Sequence, residues 1–138
     1  MRLKTGTPPR IYTQSIDYDI LDPQLSENNG IFLSYFTKQN TNKNINCYIT
    51  KTNNKTHKII RDNLDKSAMY SGIIKSQGVR YCPSIEDKVT KFGDRNGHNI
   101  FLEPEGLNSD LVYPNGISNS LDKKIQLKFL RSIKGLEK

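Results

Sequence analysis

Cys82 is the side chain of this sequence best suited to nucleophilic chemistry. It directly precedes Pro83, a residue typical of the first helical position, so the sequence predicts that Cys82 occupies a helix cap. There the free N–H groups and the helix dipole favour a negative sulfur, and Arg80 and Lys88 add positive charge. Such surroundings make a thiolate available as a nucleophile. The alternative is a buried and inert thiol, the more common state of a free cysteine.

Other side chains near this thiol could assist the same chemistry. Glu86, Asp87 and Lys88 could position a substrate or exchange protons. The alternative for the two acids is that they offset the dipole in the first turn of a helix. Tyr70 and Tyr81 could stack on a base or a nicotinamide ring, and half-buried packing is the alternative for each.

Positive charge is concentrated in the middle of the chain. The protein carries 21 Lys and Arg against 14 Asp and Glu, a net charge of +7. Residues 38–66 hold seven of the basic residues and two acidic ones, a net of 7 − 2 = +5. Such a patch attracts phosphates and releases counterions on binding nucleic acid, whereas the alternative is a solvated surface rich in Lys and Asn. The candidate RNA contacts are Lys51, Lys55 and Arg61.

Length and composition exclude several classes of protein. The 138 residues amount to one domain at most, and their hydrophobic share of 34% is low for a well-filled core. No apolar run is long enough for a membrane span, and we expect a cytoplasmic protein. Two cysteines without CxxC spacing, and His57 and His98 apart from them, argue against a disulfide scaffold and a metal site. The nine glycines include no G-x-G pair, so the chain contains no dinucleotide fingerprint.

Periodicity and turn residues predict a mixed α+β chain. The best-marked helix begins at Pro83, because Ser84 and Asp87 have capping-box spacing and Ile85 and Val89 share one face. We expect the first two strands to pair as a β-ribbon. The predicted loops are 2–11 and 21–30, the predicted strands 31–36, 45–50, 100–102 and 111–113, and the other predicted helices 56–66 and about 122–132.

Several segments, in their order and spacing, resemble the MnmG family, also called GidA. They are Arg2-Leu-Lys-Thr-Gly-Thr-Pro-Pro-Arg10, Cys47-Tyr-Ile-Thr50, Thr56-His57, Ile60-Arg61, Met69-Tyr70, Arg80-Tyr-Cys-Pro-Ser-Ile-Glu-Asp-Lys-Val89, Ile100-Phe-Leu-Glu-Pro-Glu-Gly106 and Tyr113-Pro-Asn-Gly-Ile-Ser118. The resemblance covers essentially the whole chain, and the segment around Cys82 is its most specific part. The related folate- and flavin-dependent tRNA uracil methyltransferases are an alternative that this segment argues against.

The resemblance implies a flavoenzyme of tRNA processing. Members bind FAD, work with the GTPase MnmE as homodimers, and add a carboxymethylaminomethyl group to C5 of the tRNA wobble uridine. They use NAD(P)H as reductant and methylenetetrahydrofolate as one-carbon donor. By resemblance, the catalytic thiol is Cys82, and the NAD contacts are Gly78, Val79, Arg80, Tyr81, Cys82, Pro83, Ser84, Ile85, Glu86, Asp87, Lys88, Val89, Thr90, Lys91 and Phe92.

The same resemblance predicts that these residues are an internal fragment. Members of the family begin upstream with a Gly-rich FAD-binding turn and end in a long helical domain. We expect residues 1–14 to be a strand and loop of a Rossmann-like FAD-binding domain, 15–95 an inserted α+β module with the nicotinamide and thiol segment, and 96–138 the return into the flavin domain. Alone, the fragment is expected to be inactive. The alternative is a non-catalytic basic module that docks tRNA.

Overall fold

A five-stranded antiparallel sheet organises the chain. The computed structural model describes residues 6–26, 32, 34–39, 42–72, 83–93 and 95–138. In spatial order, the strands are β1 (Ile11–Tyr12), β5 (Leu111–Asn115), β4 (Asn99–Pro104), β3 (Cys47–Lys51) and β2 (Asp22–Gln24). The predicted strands 45–50, 100–102 and 111–113 are therefore confirmed as β3, β4 and β5, with small differences at their ends.

The two sides of the sheet differ in burial. The register places Thr50 opposite Ile100 in neighbouring strands, and alternate residues of a strand point to the same side. On that side Ile100, Leu102 and Val112 are 0–2% exposed and belong to one hydrophobic cluster with residues of the helices. On the other side Ile49 and Phe101 are only half-buried. Helices therefore cover one side of the sheet, which confirms the α+β class.

Three helices form the second layer. They are α1 (Asn54–Arg61), α2 (Ile85–Lys91) and α3 (Lys123–Leu130), with short 3-10 turns at Thr13–Ser15, Tyr18–Ile20 and Leu64–Lys66. Asn53 caps α1, because its side chain accepts a hydrogen bond from the backbone of Thr56 at 3.0 Å. The amide of Asn53 also donates to the carbonyl of Ser132 at 2.6 Å and so joins α1 to the segment after α3. Ile60 and Phe129 are fully buried in the resulting core.

Two sequence predictions about strands were wrong. Residues 45–50 do not pair with 31–36, because β3 lies between β2 and β4. Ser34–Phe36 form a bend and turn, in which the amide of Thr37 donates to the carbonyl of Ser34, while residues 31 and 33 lie outside the described part of the chain. The predicted loop 21–30 contains β2. Pro23 is compatible with β2 because this strand is at the edge of the sheet.

The five strands of the sheet come from all three residue ranges of the predicted domain division. β1 comes from residues 1–14, β2 and β3 from 15–95, and β4 and β5 from 96–138. A shared sheet does not by itself set domain boundaries, so the division stays a prediction. Among the described residues, no helix is both long and apolar enough to cross a membrane.

Candidate functional site

The start of α2 differs from the predicted one. Ser84 is the N-cap, and its hydroxyl accepts a hydrogen bond from the amide of Asp87 at 3.2 Å, which confirms the predicted capping pair. The expectation that Cys82 occupies the cap was wrong, because the helix begins at Ile85 and Cys82 precedes the cap by two residues. Gly78, Val79, Arg80, Tyr81 and Cys82 lie outside the described residues, and their proposed roles stay predictions.

The inner face of α2 is completely buried around one carboxyl group. Glu86 is 0% exposed, and its Oε1 accepts hydrogen bonds from the hydroxyl of Ser67 at 3.0 Å and from the amide of Ser120 at 2.9 Å. Its Oε2 is also buried and has no hydrogen-bond partner among the described residues. Ile85 and Val89 are 0% and 1% exposed on either side of it. Glu86 thus joins α2 to two other segments of the chain, and Ser84, Ile85, Glu86 and Val89 support the site from inside.

The outer face of α2 carries a polar cluster that solvent can reach. The hydroxyl of Tyr70 donates to Oδ1 of Asp87 at 3.0 Å and lies 3.1 Å from the hydroxyl of Thr90. Lys91 Nζ lies 3.3 Å from the same Asp87 oxygen. Burial alone would raise the pKa of Asp87, but the bonds from Tyr70 and Lys91 outweigh it and hold that pKa below its usual value. Asp87 is therefore an ionised carboxylate at neutral pH.

The ring of Tyr70 remains available although its hydroxyl is bound. The residue is 40% exposed, and Phe92 at the end of α2 is 44% exposed. Burial raises the pKa of Tyr70, and the neighbouring Asp87 carboxylate acts in the same direction, so the phenol stays protonated. On this outer face a carboxylate could accept from hydroxyl groups of a ligand, an ammonium could pair with phosphate, and aromatic rings could stack on a planar group.

The side chain of Lys88 lies between the two faces of α2. Its Nζ donates to the carbonyl of Gly116 at 2.8 Å, which ties the helix to the end of β5. Gly116 has a φ of +110°, and a Cβ there would lie 2.7 Å from the carbonyl oxygen of Asn99. Glycine is therefore required at this position, and the contact with Lys88 forms a second support for α2.

Two histidines, His57 in α1 and His98 just before β4, form a buried pair. The ring centroids of His57 and His98 are 5.3 Å apart, and the hydroxyl of Thr52 lies 2.7 Å from Nε2 of His57 while accepting the amide of His98 at 2.8 Å. Burial, reinforced by positive side chains nearby, lowers the pKa of both rings. Both are therefore neutral at pH 7. Sequence reasoning missed this pair, and no signal in the sequence connects residues 41 positions apart.

Two of the three predicted RNA contacts lie beside the loop that follows α2. Lys51, Lys55 and Arg61 are all exposed. The guanidinium of Arg61 reaches the loop, because a Cβ atom built on Gly93 would lie 3.2 Å from its Nη1. Lys51 lies beside the same loop, because a Cβ atom built on Gly97 would lie 3.5 Å from the Cβ of Lys51. The structure thus brings Lys51 and Arg61 to one loop, while Lys55 lies in the first turn of α1.

Comparison with known proteins decides the family. The model of the family described as glucose inhibited division protein A matches residues 1–138. The chain belongs to this family. It is 52% identical over 136 residues to the protein named tRNA uridine 5-carboxymethylaminomethyl modification enzyme MnmG from Mycoplasmopsis synoviae (strain 53). That match covers 99% of this chain and 22% of the relative.

Two crystal structures of GidA from Aquifex aeolicus have the same fold over this region. The form I structure matches with a TM-score of 0.85 and 46% identity, covering 99% of this chain and 24% of that one. The form II structure matches with a TM-score of 0.82 and 42% identity, covering 99% and 22%. The chain therefore spans less than a quarter of the length of these GidA family members.

Proposed function

We propose that this chain is the thiol-bearing and nicotinamide-binding part of an FAD-dependent enzyme of tRNA modification. With the GTPase MnmE, the enzyme would add a carboxymethylaminomethyl group to C5 of the wobble uridine, in the cytoplasm and as a homodimer. The observation that carries the proposal is 52% identity, over 99% of the chain, to a relative named for this reaction. Because the chain spans 22% of that relative, the activity is assigned to the longer protein.

Within this proposal the outer face of α2 holds the dinucleotide. A bound nicotinamide would supply a hydride, and the residues available to hold it are Asp87, Thr90 and Lys91 with the ring of Tyr70. Cys82 would act on the pyrimidine ring as a nucleophile or as a proton donor. We assign no contact with FAD or methylenetetrahydrofolate to the described residues, since the glycines of the chain include no G-x-G pair that would mark a Rossmann-like flavin site.

A chimera provides the direct test. The 138 residues replace the matching segment of the Mycoplasmopsis synoviae relative, and wobble modification is measured by mass spectrometry of tRNA from cells that lack their own enzyme. We expect the chimera to restore the modification and its Cys82→Ser variant to abolish it, with Cys47→Ser as the matched control. A chimera that folds and binds flavin but leaves the uridine unmodified would contradict the proposal.

A second function is favoured by the charge pattern. Residues 28–61 contain six basic and no acidic residues, and Lys51 and Arg61 reach one loop. These features suit a non-catalytic module that docks tRNA by phosphate contacts. In that case tRNA affinity falls steeply with salt, and replacing Lys51, Lys55 and Arg61 by Gln lowers the slope of log K against log salt by about two to three. Absence of binding at low salt would exclude docking.

A further inference from the structure

A cleft lies at the other end of the sheet from α2. Gly116, which Lys88 of α2 contacts, is beside Asn99 at the start of β4. The cleft lies beside Leu102 and Pro104, towards the other end of β4. Its volume is about 350 Å³. That volume lies in the range of small-molecule sites, and none of the residues assigned to the nicotinamide or RNA contacts lines the cleft.

The floor of this cleft is aromatic and apolar. Tyr48 lies directly opposite Leu102 in the sheet, so both side chains are on the same side. The ring of Tyr18 packs on that of Tyr48 with centroids 4.6 Å apart and planes inclined by 53°. At the mouth, Ile45 and Leu107 are 39% and 53% exposed. Apolar surface left open beside an aromatic floor is typical of a site for a planar ring.

The rim of the cleft is polar and positively charged. Lys43 lies on the rim and belongs to the run 28–61 that has no acidic residue. The side-chain oxygens of Asn46 and Ser109 already accept hydrogen bonds from backbone amides, at 3.3 Å and 3.1 Å. The Asn46 amide and the Ser109 hydroxyl are thus suited to act as donors. On the facing loop Glu105 is neutralised by an ion pair with Arg10. The rim therefore suits a ligand with acceptor atoms and negative charge.

We propose that this cleft binds one nucleotide unit, with its base against Tyr48 and its phosphate at Lys43. The inference extends the proposed function, because a nucleotide of the tRNA substrate has this chemistry. A free dinucleotide has the same chemistry and is the other source, in which case the cleft would hold it in place of the outer face of α2. Stacking on an aromatic floor and pairing of an ammonium with phosphate together suit a cleft of mixed polarity that has Lys43 among its described lining residues.

Gly106 offers a way to fill the cleft without disturbing the fold. It lines the cleft, its φ is not in the left-handed region, and a Cβ there would meet nothing closer than 4.0 Å. Gly106→Leu therefore places a branched side chain in the ligand space, and Gly106→Ala is its matched control. Lys43→Gln removes the cation, Lys43→Arg retains it, and Lys128→Gln removes one exposed charge from α3. Thermal unfolding verifies that each variant is folded.

The 138-residue chain and its variants are titrated with a fluorescein-labelled anticodon stem-loop RNA and, separately, with NADH. We expect Gly106→Leu to lower the affinity for one of these ligands about tenfold, in line with the loss of one stacked base. Lys43→Gln should weaken the same ligand several-fold and lower the salt slope by about one. The three controls should bind like the unmodified chain. Loss of RNA identifies tRNA as the source of the nucleotide, and loss of NADH identifies a free dinucleotide.

The assignment of the cleft is overturned if Gly106→Leu and Lys43→Gln both bind RNA and NADH as the unmodified chain does. It is also overturned if the unmodified chain binds neither ligand. The chimera that restores wobble modification is scored independently. If it is active while the cleft variants bind normally, only the cleft assignment fails. If it is inactive while the cleft variants lose RNA, the proposed reaction fails and the nucleotide site stands.

Discussion

Replacing Glu86 tests whether one buried carboxyl group holds α2 in place. Glu86→Ala leaves the amide of Ser120 without its acceptor at 2.9 Å and opens space in a fully buried position. The hydroxyl of Ser67 loses an acceptor at 3.0 Å but keeps the hydroxyl of Ser120 at 2.8 Å. Because Ser120 is only part-buried, the loss of this acceptor costs about 1 kcal/mol, the low end for an unsatisfied amide, and the cavity at Glu86 adds to this cost. We expect a loss of about 3 kcal/mol in the free energy of unfolding.

The conservative variant makes this prediction specific. Glu86→Gln retains the oxygen that accepts the two serine bonds and places its amide where Oε2 has no partner. We therefore expect it to lie within about 1 kcal/mol of the unmodified protein, since one unpartnered polar atom replaces another. Urea unfolding followed by circular dichroism measures both variants, and the exposed Glu137→Ala serves as the control. The reasoning would be refuted if Glu86→Ala and Glu86→Gln lowered the free energy of unfolding equally, or if Glu86→Ala were as stable as the unmodified protein.

Three further predictions follow from the same structure. The pKa values of His57 and His98 are lowered in the folded protein, so just below pH 6.5 only the unfolded chain gains protons on these rings. The free energy of unfolding is therefore highest above pH 6.5. As the pH drops towards the pKa values of the folded protein, it falls by up to about 1.4 kcal/mol per pH unit for each ring. Thermal unfolding between pH 8 and pH 5 measures this loss, which a variant with both rings replaced by Gln should not show. Gly97→Ala should lower the free energy of unfolding by more than about 2 kcal/mol in urea titrations, because φ is +90° and its Cβ would lie 2.2 Å from a carbonyl oxygen. Iodoacetamide should alkylate Cys82 faster than Cys47, since burial and then the Glu103 charge raise the pKa of the Cys47 thiol, and equal rates at the two sites would contradict a reactive Cys82.

The helices could be predicted from the sequence because their signals are local. Ser84 and Asp87 are three residues apart, and Ile85 and Val89 repeat at the spacing of one helical face, so α2 could be identified without knowledge of its partners. Its start was misplaced by two residues because Pro83 is compatible both with the first turn and with the residue before the cap.

Strand pairing could not be predicted because it depends on distant residues. In the pairing of β3 with β4, Ile49 lies opposite Phe101, which is 52 positions away along the chain. No local turn signal in the sequence indicates this pairing. β2 was missed for a related reason, since Pro23 and the polar residues around it read as a loop unless an edge position is already known. The pairing of His57 and His98 across Thr52 is likewise a product of the fold.

Adjacent carboxyl groups of α2 illustrate what only the structure could decide about the site. Glu86 and Asp87 read alike in the sequence, as acids in a first turn that offset the helix dipole or handle protons. A rotation of about 100° per residue turns the first into the core and the second towards solvent. Glu86, fully buried, binds Ser67 and Ser120 and positions the helix, whereas Asp87 is ionised beside Tyr70 and Lys91 and is the carboxylate that a ligand can reach. Substitution of Glu86 should therefore act on stability, and substitution of Asp87 on binding.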